Sequence, residues 1–224
     1  MLEKYNLFFA VLNVGTSMKL EERLAELVPI RGTNWVPAFP ISSPTPNGTH
    51  IWMIESKGRK LGTIEILEMI GIDAVENLDY SPNQRPYLRW EESVDFNISN
   101  VKGAALIGFS ESQRIGVDLE RLEKSRFREG MLGTHYTKSE VSRISVLEGE
   151  EKMSSMARIW VSKEAIVKCI DIPIKFSELE IPLLDRGENR VIVMDNGSSE
   201  NYELSLYILD LPNGWVGSFA LSSR

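Results

Sequence analysis

Two acids separated by one residue stand in the stretch IGVDLERLEK, residues 115–124. Alternate residues of a β-strand point to the same face, so Asp118 and Glu120 would lie side by side if this apolar run is a strand. Neighbouring carboxylates repel unless positive charge lies between them. The spacing is compatible with a bound metal ion, and also with a solvated strand end beside Arg121 and Lys124. For an isolated D-x-E, the solvated strand end is the commoner of the two.

A second charged pair lies in ARIWVSKEAIVKC, residues 157–169, which has the pattern of a helix. Glu164 and Lys168 are four residues apart, so their side chains meet on one helix face. A surface salt bridge is the common meaning of this spacing. Here, however, the neighbours are apolar, so the Glu164 carboxylate lies at the margin of a buried face, where an ionised group needs a partner. These neighbours are Trp160, Ala165, Ile166, Val167 and Ile170.

Composition limits what could partner these acids. The chain has 224 residues, a formal net charge of -7 and one cysteine, Cys169. The acidic balance argues against a nucleic-acid or polybasic membrane surface as the main partner. A single cysteine excludes an intramolecular disulfide and a cysteine-rich zinc site, and the two histidines, His50 and His135, are far apart. Any metal should therefore have oxygen ligands, as Mg²⁺, Mn²⁺ and Ca²⁺ do.

The location of the protein is also predicted from what the sequence lacks. The start, MLEKYNLFFAVLNVG, has no signal-peptide pattern. No apolar stretch reaches the ~20 residues needed to span a bilayer. We therefore expect a cytoplasmic protein that does not bind membranes.

The elements that must position the acids alternate between strand and helix patterns. In the first half, strands are predicted over 5–14, 50–56 and 93–100 and helices over 18–28 and 60–72, with a proline-rich irregular segment over 29–50. Residues 102–112 and 113–122 read as a β-hairpin. In the second half we expect helices over 138–147 and 154–170, and strands over 176–181, 190–196, 201–210 and 215–223.

Because each half combines a β-meander with helices, the order of elements predicts an α+β fold with two similar lobes, each a small, mostly antiparallel sheet packed with helices. We place the lobes at residues 1–112 and 113–224, with the charged motifs in the second. A chain of this size can bury a full core as two units of roughly 100 residues each.

The two charged motifs together resemble the signature of the 4′-phosphopantetheinyl transferase superfamily. IGVDLE and WVSKEAIVK match its patterns (V/I)G(V/I)D-x-E and W-x-x-K-E-(S/A)-x-x-K, in the family's order. QRPYL, FNISN and YTKSE are similar to its G-K-P-x-(L/I), F-N-(I/L)-S-H-S and F-(S/T)-x-x-E segments. The length resembles the two-lobed, monomeric, surfactin-synthetase-type subgroup. The likeness covers residues 80–221, and residues 1–79 match only in element order.

The resemblance implies a magnesium-dependent enzyme, with Mn²⁺ as an alternative ion. A carrier-protein serine would attack the β-phosphate of the co-substrate coenzyme A and release 3′,5′-ADP. By the same resemblance, Asp118, Glu120 and Glu164 are the metal ligands, Glu164 and Lys168 are catalytic, and Lys163 and Lys168 place positive charge at the phosphates. The partners implied are coenzyme A and an acyl, peptidyl or aryl carrier protein.

Further coenzyme A contacts are carried over from the remaining motifs, and these contain the departures from the family. The residues implied are Arg85, Pro86, Ser99, Asn100 and Lys102. Gln84 stands where the family has glycine, and Asn100 stands where it has the histidine that contacts the 3′-phosphate. An amide cannot make the charge-assisted bond of a histidinium, and Lys102 is a candidate to compensate.

Two matters stay open at the level of sequence. Arg59 and Lys60 are candidates for the basic residue that grips the nucleotide end, and simple surface charge is equally compatible. The loss of the histidine also leaves an alternative function, namely a non-catalytic or narrowed-specificity paralogue that binds coenzyme A or a carrier protein without efficient transfer.

Overall fold

The computed structural model of the protein describes residues 33–37, 39–40, 45–56, 58–69, 72, 74–89, 94–124, 126–182, 189–194, 201–212 and 214–223. The predicted strand over 5–14, the predicted helix over 18–28 and part of the proline-rich segment lie outside these residues. The described part of that segment is less irregular than predicted, since residues 33–37 and 39–40 form strands. No helix of the described part is both long and apolar enough to cross a membrane.

The helices concentrate in the second half of the chain. They are α1 (Thr63–Met69), α2 (Ala74–Asn77), α3 (Leu132–His135), α4 (Lys138–Ser145) and α5 (Gly149–Ile170), with a 3-10 turn at Glu129–Met131 before α3. The helix α4 begins with a capping box, in which Thr137 and Glu140 each bond the backbone nitrogen of the other. The predicted helices over 60–72, 138–147 and 154–170 are thus present, with shifted ends.

The strands are β1 (Thr33–Pro37), β2 (Phe39–Pro40), β3 (Thr49–Ser56), β4 (Leu78–Tyr80), β5 (Pro86–Leu88), β6 (Asp95–Val101), β7 (Ala104–Ser110), β8 (Arg114–Arg121), β9 (Asn189–Met194), β10 (Asn201–Asp210) and β11 (Trp215–Ser222). Each pairing between them is antiparallel. The α+β class with antiparallel sheets is therefore confirmed.

Two main sheets organise the described residues. The first has the order β1-β3-β7-β6; the second has the order β2-β10-β11-β8, with β9 paired to the β10 strand, and β4 and β5 form a small ribbon. The 22-residue helix α5 packs on the second sheet, where it contacts β8 and β11 most extensively. The acids of β8 therefore face a long helix.

The predicted hairpin between residues 102–112 and 113–122 is wrong. β7 pairs with β6 and β3 in the first sheet, whereas β8 pairs with β11 in the second. The true hairpin is β6–β7, whose two-residue turn contains Gly103 at φ +99°. Side-chain alternation does not reveal which neighbour a strand chooses, because strands of both sheets share the same period of two.

The predicted strand over 176–181 is also absent. Residues 176–178 form a turn, and the backbone groups of this segment bond side chains instead of a sheet. The Phe176 carbonyl accepts from Lys163 Nζ at 2.7 Å, and the Ile181 N–H donates to Glu140 Oε1 at 2.8 Å. A buried charged pair thus satisfies backbone groups that a neighbouring strand would otherwise satisfy.

The strands β6 and β8 lie side by side, and side chains join them. Asp95 Oδ2 accepts from the Ile115 N–H at 2.8 Å, and Asn97 Oδ1 accepts from the Val117 N–H at 2.9 Å. These bonds satisfy the backbone N–H groups of β8 that face the first sheet. The acidic motif therefore lies where the two sheets meet.

Candidate active site at the junction of the two sheets

The strand β8 presents Asp118 and Glu120 on one face, as the period of a strand requires. Ile115, Val117 and Leu119 point the other way, into an apolar cluster shared by the two sheets. Only 4% of Asp118 and 5% of Glu120 is exposed. The solvated strand end considered for this motif is therefore wrong, and the like charges need partners inside the protein.

Gly116 sets how closely α5 approaches this face. A β-carbon at this position would lie 2.0 Å from the Ala165 carbonyl oxygen and 2.4 Å from the Cys169 nitrogen. Only glycine allows so close a contact between a strand and a helix. It brings Glu164 and Lys168 of α5 to the acids of β8. The sequence motif contained this glycine, but its role is visible only in the packed structure.

Lys168 is the principal partner of Asp118. Its Nζ lies 2.5 Å from Asp118 Oδ1 and 3.3 Å from Ser99 Oγ, and the Ser99 hydroxyl also donates to Asp118 Oδ1 at 2.8 Å. One oxygen of Asp118 is therefore saturated. The other, Oδ2, is buried and bonds no described residue.

Glu120 repeats this half-satisfied arrangement. Its Oε1 accepts from Arg126 Nη2, while Oε2 is buried without a hydrogen-bond partner among the described residues. Burial, and secondly the charge of Asp118, raise the pKa of Glu120 to about 7. Arg126 was not among the residues predicted for the site, because no pattern links this loop residue to an acid six positions earlier.

Glu164 approaches the same cluster from α5. Burial, and secondly the charge of Asp118, raise the pKa of Glu164, while Lys168 and Arg126 lower it. No hydrogen bond or ion pair joins its carboxylate to a described residue. Three acids and two partly exposed cations thus meet at this junction, so the acids outnumber the cations by one.

The side chains present fit a divalent cation in part. Asp118 Oδ2 and Glu120 Oε2 are buried carboxylate oxygens without a partner among the described residues, and carboxylate oxygens are the ligands that Mg²⁺ and Mn²⁺ prefer. Within the described ranges, however, no three His, Cys, Asp or Glu side chains stand close enough together to form a ready metal site. Asp118 and Glu120 thus each have one carboxylate oxygen available to a cation, and the Glu164 carboxylate lies near them.

Lys163 does not join this cluster. Its Nζ donates to Glu140 Oε2 at 2.6 Å, to the His135 carbonyl at 3.0 Å and to the Phe176 carbonyl at 2.7 Å. All three N–H groups are used on the far side of α5. The expectation that Lys163 lies at the phosphates is corrected on this ground, since donation there would break these bonds.

Arg85 is also engaged internally. Its guanidinium bonds Asp95 Oδ2 at 2.5 Å and the carbonyl oxygens of Ile115 at 2.8 Å and Lys168 at 3.0 Å. It therefore links both sheets and the C-terminal end of α5. The preceding Gln84 adopts φ +66°, a conformation that favours the glycine usual in the motif.

A cleft of about 450 Å³ opens next to this arginine. Pro86 and Lys168 are in its wall, so two of the residues predicted to contact coenzyme A share one opening with Arg85. The lining also includes Asn97, Ile98, Val167 and Pro173. A ligand bound in this cleft would reach Lys168 from the solvent side.

Asn100 and Lys102 lie at the end of the β6 strand and its turn. Asn100 Nδ2 donates to the Leu61 carbonyl at 2.7 Å, and Lys102 is exposed. The Gly103 N–H donates to the Arg59 carbonyl at 3.0 Å, so the segment that carries Arg59 and Lys60 is held against this turn. Arg59 forms an ion pair with Glu65 at 2.5 Å.

Comparison with known proteins agrees with the resemblance. Residues 114–220, which include both charged motifs, α5 and the second sheet from β8 to β11, match the family model of the 4′-phosphopantetheinyl transferase superfamily. The resemblance stated from the motifs is therefore confirmed over this part of the chain.

A curated relative supports the same family. A Synechocystis sp. protein with the printed name "putative 4′-phosphopantetheinyl transferase" is 26% identical over 146 residues, which cover 57% of this chain and 59% of the relative. The matched region thus spans less than two thirds of the length of this relative.

Proposed function

We propose that the chain transfers the 4′-phosphopantetheine arm of coenzyme A to a serine of an apo acyl, peptidyl or aryl carrier protein and releases 3′,5′-ADP. One observation carries the proposal: in the region that matches the family, Asp118, which pairs with Lys168, and Glu120 each have a buried carboxylate oxygen that bonds no described residue. Such a half-satisfied acid pair is costly for a fold and is typical of functional sites.

In this proposal Asp118 and Glu120 hold Mg²⁺ or Mn²⁺ through their free oxygens, and Glu164 completes the acidic set. When bound, the ion would neutralise charge on the pyrophosphate of coenzyme A. Lys168 adds positive charge at the same group, while Ser99 keeps the Lys168 ammonium and Asp118 in register.

The reaction forms a bond between the carrier serine Oγ and the β-phosphorus of coenzyme A. The bond from that phosphorus to the oxygen that bridges the two phosphates breaks, and 3′,5′-ADP leaves with that oxygen. The serine proton passes to the Glu164 carboxylate, directly or through water. A raised pKa makes Glu164 a better proton acceptor than an ordinary solvated carboxylate.

The remaining proposed contacts to coenzyme A are Arg85, Pro86, Asn100 and Lys102. Pro86 and Arg85 would act as a wall of the cleft beside Lys168. Lys102 is the exposed cation at the turn where the 3′-phosphate is expected, with Asn100 beneath it. Lys163 has no direct role here, because Glu140 and two carbonyl groups occupy its ammonium.

We further propose that the protein is a cytoplasmic monomer of the two-lobed subgroup, with pseudo-dimeric lobes at residues 1–112 and 113–224. The side-chain bonds from β6 to β8 support only the two-lobed arrangement, since they join two sheets that remain separate. The proposed boundary lies between β7 and β8, where the chain passes from the first sheet to the second, although β2 from the proposed first lobe also pairs with β10 of the second sheet.

A second candidate is a binding protein without efficient transfer. One observation favours it: Arg126 occupies Glu120 Oε1, and no three acids of the described residues form a ready metal site. Such a protein would bind coenzyme A or a carrier protein through the cleft and leave the carrier unmodified.

The test is incubation with coenzyme A, Mg²⁺ and a panel of purified apo carrier proteins, followed by mass spectrometry. We expect a mass gain of one phosphopantetheine arm on at least one carrier, and none with Asp118→Ala or Glu164→Ala. Glu123→Ala, which removes an exposed acid paired with Arg121, is the matched control and should transfer normally. Binding of coenzyme A without a mass gain on any carrier would favour the second candidate.

A further inference from the structure

Arg126 is a half-exposed partner of a buried acid. Its side chain is 50% exposed, yet its guanidinium reaches Glu120 Oε1, on a side chain that is only 6% exposed. Glu120 is the acid it bonds within the described part of the chain. The arginine therefore reaches the acid cluster from solvent, whereas Lys168 reaches it from the body of α5.

The two cations hold their acids in different ways. Lys168 Nζ bonds both Asp118 Oδ1 and Ser99 Oγ, so its position depends on two partners. Among the described residues, the Arg126 guanidinium forms an ion pair with Glu120 only, and a long, half-exposed side chain on a loop loses little when it returns to water. Of the two counterions, Arg126 is the one that can leave.

A divalent cation bound here would compete with Arg126 for the Glu120 carboxylate. Asp118 Oδ2 and Glu120 Oε2 are the oxygens free to ligate it, and Oε1 on the same Glu120 carboxylate holds the guanidinium. Two positive charges on one carboxylate repel each other, and the buried surroundings weaken solvent screening of that repulsion.

We propose that Arg126 is a displaceable counterion, which neutralises Glu120 in the metal-free protein and is released when a divalent cation binds to Asp118 and Glu120. The proposal rests on the metal site of the proposed function. It gives Arg126 a task that no sequence motif assigns, which is to neutralise Glu120 until the cation arrives.

The experiment measures Mg²⁺ binding by calorimetry without coenzyme A, in the parent protein and in Arg126→Gln and Arg121→Gln. Arg121 is the matched control, because it lies on the same segment, is similarly exposed and pairs with Glu123 instead of Glu120. We expect Arg126→Gln to bind Mg²⁺ about two- to fivefold more tightly, the scale of one exposed ion pair. Arg121→Gln should bind Mg²⁺ like the parent.

Equal or weaker binding by Arg126→Gln would overturn the proposal, because weaker binding means that the arginine orients Glu120 for the metal. Asp118→Asn separates this failure from failure of the metal site. If Asp118→Asn abolishes Mg²⁺ binding while Arg126→Gln matches the parent, only the inference on Arg126 fails. If Asp118→Asn binds Mg²⁺ like the parent, the metal site fails and this proposal with it.

The rise in melting temperature on addition of Mg²⁺ gives a second readout, and a purely structural role of Arg126 would not change this rise. Without metal, Arg126→Gln should melt below the parent, because Glu120 loses its partner. Saturating Mg²⁺ should then raise the melting temperature of Arg126→Gln by more than that of the parent or of Arg121→Gln. A smaller Mg²⁺ gain in Arg126→Gln than in the parent would contradict the proposal.

Discussion

Two lysines five residues apart on α5 each bond a buried carboxylate, and the two pairs differ in how completely they are satisfied. Lys163 and Glu140 are 1% and 0% exposed, and the Glu140 oxygens accept from Lys163, Thr137 and Ile181. Lys168 is 29% exposed, and Asp118 keeps one oxygen without a partner. The first pair is closed, whereas the second is open on one side.

The difference separates a structural network from a site that can take a ligand. The Lys163–Glu140 pair joins α4, α5 and residues 171–182, and an added ion would find no free oxygen there. At Asp118 and Glu120, buried oxygens remain available and the local charge is negative. A buried polar group without a partner calls for an explanation, and the proposed cation would provide one.

The largest expected effect tests whether the closed pair is structural. Lys163→Met should lower the free energy of unfolding by about 3–5 kcal/mol, because it leaves Glu140 charged and buried. Lys168→Met should cost less than Lys163→Met, since Lys168 is partly solvated and Asp118 keeps the Ser99 hydroxyl as a partner. Urea unfolding at neutral pH measures both. Equal losses in the two variants would break the distinction between the pairs.

An intermediate effect tests whether the open pair takes an ion. Mg²⁺ at a hundred times its dissociation constant should stabilise the parent protein by about 2.7 kcal/mol. Asp118→Asn should lose this gain and should keep its metal-free stability within about 1 kcal/mol, since it also relieves repulsion among the acids. Melting curves with Mg²⁺ and with a chelator measure the difference.

Glu140→Gln is the matched control for that experiment, as it also neutralises one buried acid bonded to a lysine of α5. It should melt lower than the parent and still gain stability from Mg²⁺. Loss of the Mg²⁺ gain in Glu140→Gln would mean that the two pairs are coupled and that the comparison fails.

The smallest expected effect tests whether Asn100 has a structural role, like the closed pair, or contacts a ligand, as proposed for the open pair. One N–H of its amide is donated to the Leu61 carbonyl, while its neighbour Lys102 is exposed. If the 3′-phosphate binds at this turn, Asn100→His should improve binding of coenzyme A relative to 3′-dephospho-coenzyme A. A gain of ~1 kcal/mol, roughly fivefold, is expected, because a histidinium makes a charge-assisted bond.

The pH dependence provides the control for Asn100→His. The gain should be present below the histidine pKa and fade above it, because neutral imidazole offers little more than an amide. The ratio of the two dissociation constants, in parent and variant at mildly acidic and alkaline pH, is the measurement. An unchanged ratio at both would place Asn100 among the structural residues that hold the segment of Arg59 and Lys60.

Local periodicity explains which parts of the site could be predicted. A strand repeats every two residues, so Asp118 and Glu120 had to share a face. A helix brings together residues four apart, so Glu164 and Lys168 had to be neighbours. These rules act within one element, and the structure agrees with them, as it does for most of the described strands and for the presence of the helices.

Tertiary contacts decided what periodicity could not. Lys163 is next to Glu164 in sequence, but its ammonium bonds Glu140 on the other side of α5, because a helix turns by about 100° per residue. The separation of β7 from β8 and the side-chain bonding of residues 176–181 likewise depend on partners distant in sequence. The sequence determined which chemical groups the protein has and which neighbours share a face. Only the packing of β8 against α5 through Gly116 decided which oxygens are left without a partner and can meet a cation.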